Sequence, residues 1–306
     1  MRQLTIVEYR VPDPSPRAAM PELPEVEHLR RSIDPFLVGS RVVAVDVRRR
    51  GVVEVDGATR GGGDRVAEGL LAGARVASTD RRGKQMAVIA TDGRALVVQL
   101  GMTGSIGFER GAWPRGMEAR HRHVVWAIER PDGERWRMVF RDPRRFGGLT
   151  ALAGRALLEE RWRSLGPDAL MVGDDELRQA LARTGKAVKV ALLDQTLVAG
   201  IGNIYADESL FAAGIDPRSV ARKLEPGAVG RLAREVRRIL GRAVEAGGST
   251  LRDYRDAFGN PGDAVQAHQV YGRGGEPCTR CGEPLSQIQL QARTTVFCRR
   301  CQHLST

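Results

Sequence analysis

Apolar positions recur along this chain with periods that change twice. Val26, Leu29 and Ile33 fall at helical spacing from about Glu25, and Pro35 is expected to end that run. From about residue 41 to residue 152 the pattern turns to strands. Residues 86–89 and 96–100 flank Asp92-Gly93, a hairpin signal. Val124, Trp126 and Ile128 take alternate positions, as do Trp136, Met138 and Phe140, with Pro131-Asp132-Gly133 between the two runs. A β-sandwich or barrel of about eight strands fits this stretch. Beyond about residue 153 the helical period returns. Val229, Leu232, Val236, Leu240 and Val244 form one stripe, which reads as core packing, and Gly247-Gly248 closes it. Residues 253–265 read as a loop containing Phe258-Gly259-Asn260-Pro261-Gly262. Residues 1–19 show neither period and carry Pro12, Pro14 and Pro16, so they read as an extension. The expected fold class is α+β multidomain. A β-sandwich opened by a helix spans 21–152, a helical domain 153–268 and a small module 269–306.

A hydrophobic fraction of 42% against 28% charged residues points to an ordered globular chain rather than a disordered one. No stretch approaches the ~18 apolar residues of a membrane span. The first 19 residues have no apolar core of the kind a secretory signal needs, so the expected location is cytoplasmic. A net charge of +11 favours a polyanionic partner, nucleic acid before an acidic membrane surface. The excess does not come from the extension, where three Arg stand against one Glu and one Asp.

All four cysteines lie in the last 29 residues, as Cys278-x2-Cys281 and Cys298-x2-Cys301 with 16 residues between the pairs. Close pairs at this separation suit a tetrahedral four-thiolate Zn2+ site. Two structural disulfides are the alternative, one that a cytoplasmic location disfavours. A segment this short builds little core, so one structural zinc ion would supply its folding energy.

Candidate chemistry begins at Met20-Pro21-Glu22-Leu23-Pro24-Glu25-Val26-Glu27. Were Pro21 the amino terminus, it would carry a free secondary amine with a pKa near ~8, substantially uncharged at neutral pH and nucleophilic. Attack on an aldehydic carbon would give an iminium that serves as an electron sink. Glu22 would stand beside it as a proton donor. The same residues also suit a proline-rich helix entry with acids at the helix N-terminus. His121-Arg122-His123 opens a strand, but no acid or thiol accompanies it at a metal-binding spacing. Gly200-x-Gly202-Asn203 places a glycine turn before a helix start, where free N–H groups favour a phosphate, with Lys186 and Lys189 upstream.

The opening octapeptide resembles the amino terminus of the formamidopyrimidine-DNA glycosylases, and the likeness runs from Met20 to the last cysteine. It is carried by Arg81-Arg82-Gly83-Lys84, Gln99-Leu100-Gly101-Met102-Thr103-Gly104-Ser105, Asp142-Pro143-Arg144-Arg145-Phe146-Gly147, Leu193-Asp194-Gln195, Gly200-Ile201-Gly202-Asn203-Ile204-Tyr205-Ala206, Gln269-Val270-Tyr271-Gly272-Arg273 and the cysteine pairs.

The resemblance implies a bifunctional DNA glycosylase/AP lyase of base excision repair, acting on double-stranded DNA that holds an oxidised base or abasic site. The proline amine attacks C1′ of an extruded nucleotide, the damaged base leaves, and β- then δ-elimination cut the strand. It makes Pro21 the Schiff-base nucleophile, Glu22 the proton donor, Lys84 an assisting strand lysine and Arg293 a hairpin arginine gripping phosphates. Met102, Arg144 and Phe146 become the wedge that fills the space of the flipped nucleotide, offsetting lost stacking. Arg145 and His121 become DNA contacts, while His123 packs or caps. Lys186, Lys189 and Asn203 fall in a helix–two-turn–helix within 153–268, with a zinc ribbon in 269–306. A monomer bound to the nucleoid suits such an enzyme.

Leu23-Pro24 and the 258–262 loop favour the branch for oxidised purines, such as 8-oxoguanine and formamidopyrimidines. The alternative is an endonuclease VIII-like enzyme for oxidised pyrimidines. A third reading is a DNA-binding module blocked at Pro21, because 19 residues precede that proline and make it a tertiary amide. Initiation at Met20 is the expectation that restores the amine.

Overall fold

The computed structural model describes residues 20–55, 63–110, 121–249 and 255–305. The first helix, α1 (Leu23–Leu37), buries Leu23, Val26, Leu29 and Ile33 along one face. It runs through Pro35, where its end was expected, and closes with the Val38 N–H on the Asp34 carbonyl at 3.0 Å. A proline near the last turn forfeits one backbone bond, and burial of Leu37 outweighs that loss.

Among the described residues, nine strands follow in two sheets. One has the order β1 (Arg41–Val47), β7 (Arg122–Glu129), β8 (Arg135–Arg141) and β6 (Ser105–Glu109). The other has β2 (Val53–Val55), β9 (Gly148–Leu152), β5 (Ala95–Gln99), β4 (Gln85–Ala90) and β3 (Val76–Arg82), with α2 (Gly63–Gly69) between β2 and β3. All neighbours are antiparallel except β2 and β9. The hairpin expected around Asp92-Gly93 is β4–β5, and the alternating runs are β7 and β8, paired through Trp126↔Met138. Val88, Leu96, Val98, Val124, Trp126 and Phe140 share one core with α1. Each such side chain contributes roughly 1.5–3 kcal/mol through burial. The fully buried Trp126 indole N–H donates to the Leu70 carbonyl at 2.9 Å, so its polar atom is satisfied.

The second half is helical: α3 (Arg155–Arg163), α4 (Asp174–Ala182), α5 (Val188–Leu193), α6 (Asn203–Ala213) and α7 (Pro226–Glu245). The α7 stripe is core, with Val229, Leu232, Val236, Leu240 and Val244 all buried. Helix α6 differs. It is buried all round, so its polar residues Tyr205, Asp207, Glu208 and Ser209 point at other segments rather than at water. Asp256 organises the loop after residue 254, accepting from the Phe258 and Asn260 N–H groups at 2.9 and 2.8 Å. That loop leans on the sandwich, where Phe258 stacks with Phe108 and the Phe108 N–H donates to the Ala257 carbonyl. Residues 250–254 lie outside the described residues.

The last segment pairs β10 (Ser286–Leu290) with β11 (Arg293–Phe297). Gln291 and Ala292 form its two-residue turn, both at positive φ (45° and 59°), which matches the right-handed twist of a tight hairpin.

Candidate active site

Pro21 and Glu22 are buried at the start of α1, against the N-terminus of α6. The Glu22 carboxylate accepts the Gly202 N–H at 2.6 Å and the Ile204 N–H at 2.9 Å. The helix end expected to receive a phosphate therefore receives a carboxylate of the same chain. The physical reason is the one that favours phosphate: unpaired N–H groups and the positive end of the helix dipole. Gly202 is required for this approach, since a Cβ there would fall inside the Glu22 carboxyl group.

Burial drives the Glu22 pKa up, from an ordinary 4.5 to about 7. The positive charge of Lys84 and the two backbone N–H bonds oppose that rise, and nearby Glu25 adds to it. Lys84, half-buried just after β3, has its own pKa lowered by burial, against the pull of Glu22 and Glu25. A carboxyl near 7 gives and takes a proton readily at neutral pH.

Glu25 fixes this dipeptide from the other side. Its Oε2 accepts the Glu22 N–H at 2.8 Å, and its Oε1 accepts from the Tyr205 hydroxyl at 2.8 Å and the Ser249 N–H at 2.6 Å. Ser249 Oγ lies 3.1 Å from the Tyr205 hydroxyl and 3.0 Å from His268 Nε2. None of Glu25, Tyr205, Ser249 and His268 was nominated from the sequence. An acid inside the opening octapeptide and a tyrosine inside the Gly200–Ala206 block were the available signals.

Arg81, in the block that carries Lys84, is a seam rather than a surface cation. Its guanidinium reaches Glu27 at 2.9 Å and Asp168 at 2.6 and 3.0 Å, and Asp168 also takes the Gly83 N–H at 2.8 Å. This joins α1, the β3–β4 turn and the helical half immediately beside Lys84.

Lys189 does not fit its expected role. It is fully buried in α5, 2.7 Å from Asp207, and donates to the Thr294 carbonyl at 2.9 Å and Thr295 Oγ1 at 2.8 Å. An ammonium spent on a buried partner inside the protein does not reach a DNA phosphate. Asp207 also accepts the Val296 N–H at 3.1 Å, and the Asn203 amide donates to the Thr294 carbonyl at 3.0 Å. Lys189, Asp207 and Asn203 thus hold β11, whose first residue is the exposed Arg293. The Arg293 charge depresses the pKa of both Lys84 and Lys189, behind the larger effect of burial. Lys186 stays exposed, paired with Asp194 at 3.4 Å.

On the sandwich, Met102 and His121 are half-buried, while Arg144, Arg145 and Phe146 are exposed. Phe146 is 58% exposed, with the Arg144 guanidinium 4.9 Å from its ring centre. His123 is buried against the Asp142 carbonyl at 2.7 Å, the packing role expected of it.

The four cysteine ligand atoms lie within 4.8 Å of one another. Cys278 and Cys301 Sγ are 3.9 Å apart, and Cys281 and Cys298 Sγ 3.5 Å. Tetrahedral thiolates at ~2.3 Å from zinc sit ~3.8 Å from each other, whereas a disulfide needs ~2.05 Å. The cluster fits one structural zinc ion and excludes the disulfide alternative.

Three family models match in chain order: the formamidopyrimidine-DNA glycosylase N-terminal domain over residues 20–149, the H2TH domain of the same enzymes over 165–255, and a zinc finger found in FPG and IleRS over 275–304. The formamidopyrimidine-DNA glycosylase of Laribacter hongkongensis is 41% identical over 288 residues, spanning 92% of this chain and 100% of that one. That of Stutzerimonas stutzeri is 42% identical over 290 residues, with the same coverage. Among solved structures, MutM (Fpg) of Thermus thermophilus superposes with a TM-score of 0.78 at 37% identity, covering 92% of this chain and 98% of that one. Lactococcus lactis Fpg in complex with abasic-site DNA gives 0.79 at 30% identity, covering 92% and 99%. With its three parts matched in order and relatives above 40% identical over their full length, this chain belongs to the formamidopyrimidine-DNA glycosylase family and is a DNA glycosylase of that kind.

Proposed function

We propose that this chain, with Pro21 as its amino terminus, excises oxidised purines from duplex DNA through a Schiff base and then cuts the strand by β,δ-elimination. The observation that carries the reading is the Glu22 carboxyl: buried beside Pro21, set on the α6 N-terminus and raised to about 7 with Lys84 nearby. The Pro21 nitrogen attacks C1′, the bond from C1′ to the base breaks, and Glu22 supplies a proton at the sugar as the ring opens to the iminium. Loss of the C2′ proton then expels the 3′ phosphate, and the second elimination releases the 5′ phosphate. Lys84 assists near the base and the 5′ phosphate.

For the DNA itself, Met102, Arg144 and Phe146 act as the wedge, Arg144 facing the orphaned base. Arg145, His121, Lys186, Asn203 and Arg293 hold the backbone. We assign catalysis to 21–152, DNA binding to 153–268 and the ribbon to 269–306, acting as a monomer on cytoplasmic, nucleoid DNA. Residues 1–19, read as an extension, lie outside the described residues. Support comes from the relatives, which are formamidopyrimidine-DNA glycosylases, and from a Lactococcus lactis Fpg variant solved with Fapy-dG-containing DNA.

Borohydride treatment of a protein begun at Met20 with abasic-site duplex should trap a covalent adduct on Pro21. Absence of the adduct would sink the enzymatic mechanism and leave the DNA-binding module. Cleavage of 8-oxoguanine opposite cytosine should outpace cleavage of thymine glycol opposite adenine; the reverse order would favour the oxidised-pyrimidine reading.

A further inference from the structure

The residues assigned to the DNA face of the sandwich come from three separate segments, around Met102, His121 and Arg144–Phe146. These segments lie just past the ends of the β6–β8 and β7–β8 ladders, whose last pairs are Ser105↔Arg141 and Arg122↔Arg141. What they share is one carboxylate. Asp142 has no exposed surface at all. Its Oδ1 accepts the Thr103 hydroxyl at 2.6 Å, and its Oδ2 accepts the Gly147 N–H at 2.7 Å. Its backbone N–H donates to the His121 carbonyl at 3.1 Å, and its own carbonyl bonds the His123 ring at 2.7 Å. Thr103 Oγ1, having given its proton to Asp142, accepts the Arg144 N–H at 3.0 Å.

The backbone around this carboxylate is under constraint. His121 and Arg145 both have positive φ (62° and 60°), a region that side chains other than glycine enter at a cost. Gly101 (φ 63°) lies so close to the 146–147 peptide that a Cβ would overlap it. Such conformations persist only where surrounding bonds over-determine them, and the bonds that do so here converge on Asp142. A buried carboxylate is also unforgiving, because a lost partner leaves charge without solvent or hydrogen bond.

We infer that Asp142 is a positioning residue that locks the Met102, His121 and Arg144–Phe146 segments into one insertion-ready arrangement, with Thr103 relaying that hold to Arg144. The inference rests on the wedge role proposed above for Met102, Arg144 and Phe146. It adds the element that makes three loops act as one body, so that insertion into the base stack needs no reordering at the moment of binding.

The test uses the full protein begun at Met20 and a duplex carrying 2-aminopurine opposite a tetrahydrofuran abasic analogue. Fluorescence then reports insertion without any chemistry. Thr103→Val keeps the shape and removes both hydrogen bonds, whereas Thr103→Ser keeps the hydroxyl. The insertion rate should fall about tenfold or more in Thr103→Val and stay within about twofold of the parent in Thr103→Ser. In parallel, single-turnover excision of 8-oxoguanine from duplex should fall with insertion. Borohydride trapping on a single-stranded abasic oligonucleotide, which has no stack to enter, should not change. Insertion at the parental rate in Thr103→Val, or equal losses on duplex and single strand, would overturn the inference. A parent protein that inserts but forms no adduct would instead overturn the Pro21 chemistry and leave this inference standing.

Discussion

The sharpest expectation concerns Glu22→Gln. Moving a carboxyl from 4.5 to about 7 corresponds to about 3 kcal/mol of preference for the neutral acid. At pH 7 the group is thus about half protonated, and by about pH 8.5 only about 3% of it is. In the proposed mechanism the Pro21 amine works in the opposite sense, since it must be neutral to attack and has a reference value near ~8. If excision needs the neutral amine together with the protonated acid, the single-turnover rate rises to a maximum near about pH 7.5 and falls on the alkaline side by about tenfold per pH unit. The two limbs belong to the adjacent pair rather than to either group alone. An amide in place of the Glu22 carboxyl would donate no proton at any pH, so the alkaline limb should vanish and the maximum drop by about 10²-fold or more. The assay is excision of 8-oxoguanine from duplex with enzyme in excess, from about pH 5.5 to about pH 9, with a thermal melt at each end to show that the variant stays folded. An alkaline limb that survives in Glu22→Gln would refute the assignment of the proton donor.

Three further outcomes follow from the same contacts. Lys84→Met removes the charge that holds Glu22 down, so the pH of maximal rate should move upward, by about half the rise in the Glu22 pKa; movement to lower pH would contradict the pairing. Lys189→Met leaves Asp207 buried without its cation, and breaking such a pair costs about 3–5 kcal/mol. Because burial already raises Asp207 to about 7, lone Asp207 is neutral in acid and forced to ionise in base. Urea unfolding should therefore show the larger loss at about pH 8 and a smaller one near about pH 5.5, and a loss equal at both would count against this account. Metal analysis should find about one zinc per chain. Chelation should abolish binding to abasic-site duplex without altering tryptophan fluorescence, since every tryptophan lies before residue 163; binding that survives metal loss would argue against the ribbon's part in holding DNA.

Periodicity made the sandwich hairpins and the α7 stripe readable, because both rest on burying one face of an element. It could not single out α6, which has no polar face and so no period to detect. Nor could it place Lys189. A lysine upstream of a glycine turn reads as solvent-facing until its partner is known, and that partner lies on the next helix. At Asn203 the physical expectation of an anion at the helix end was sound. In the free chain, however, the anion there is Glu22, which stands 180 residues away from Gly202 and so could not be read from the local sequence. Pro21, Glu22 and the cysteines were legible since their chemistry sits in short contiguous motifs. Asp142 was not, for a buried acid before Pro143 carries no local signature.

Because Glu22 takes its environment from Gly202, Ile204 and, through Glu25, from Tyr205 and Ser249, the order of synthesis has a bearing on safety. In the mechanism proposed above, Pro21 leaves the ribosome ahead of these segments, and its carboxyl neighbour there meets water and keeps an ordinary acidity. Only when the stretch through residue 249 has emerged and docked does that carboxyl become a proton donor at neutral pH. With Pro21 as the proposed amino terminus, a nascent or truncated protein would thus hold a reactive amine without the partner that turns it against DNA. The dependence of the pocket on distant segments acts as an interlock, arming a strand-cutting enzyme only when the molecule is nearly whole.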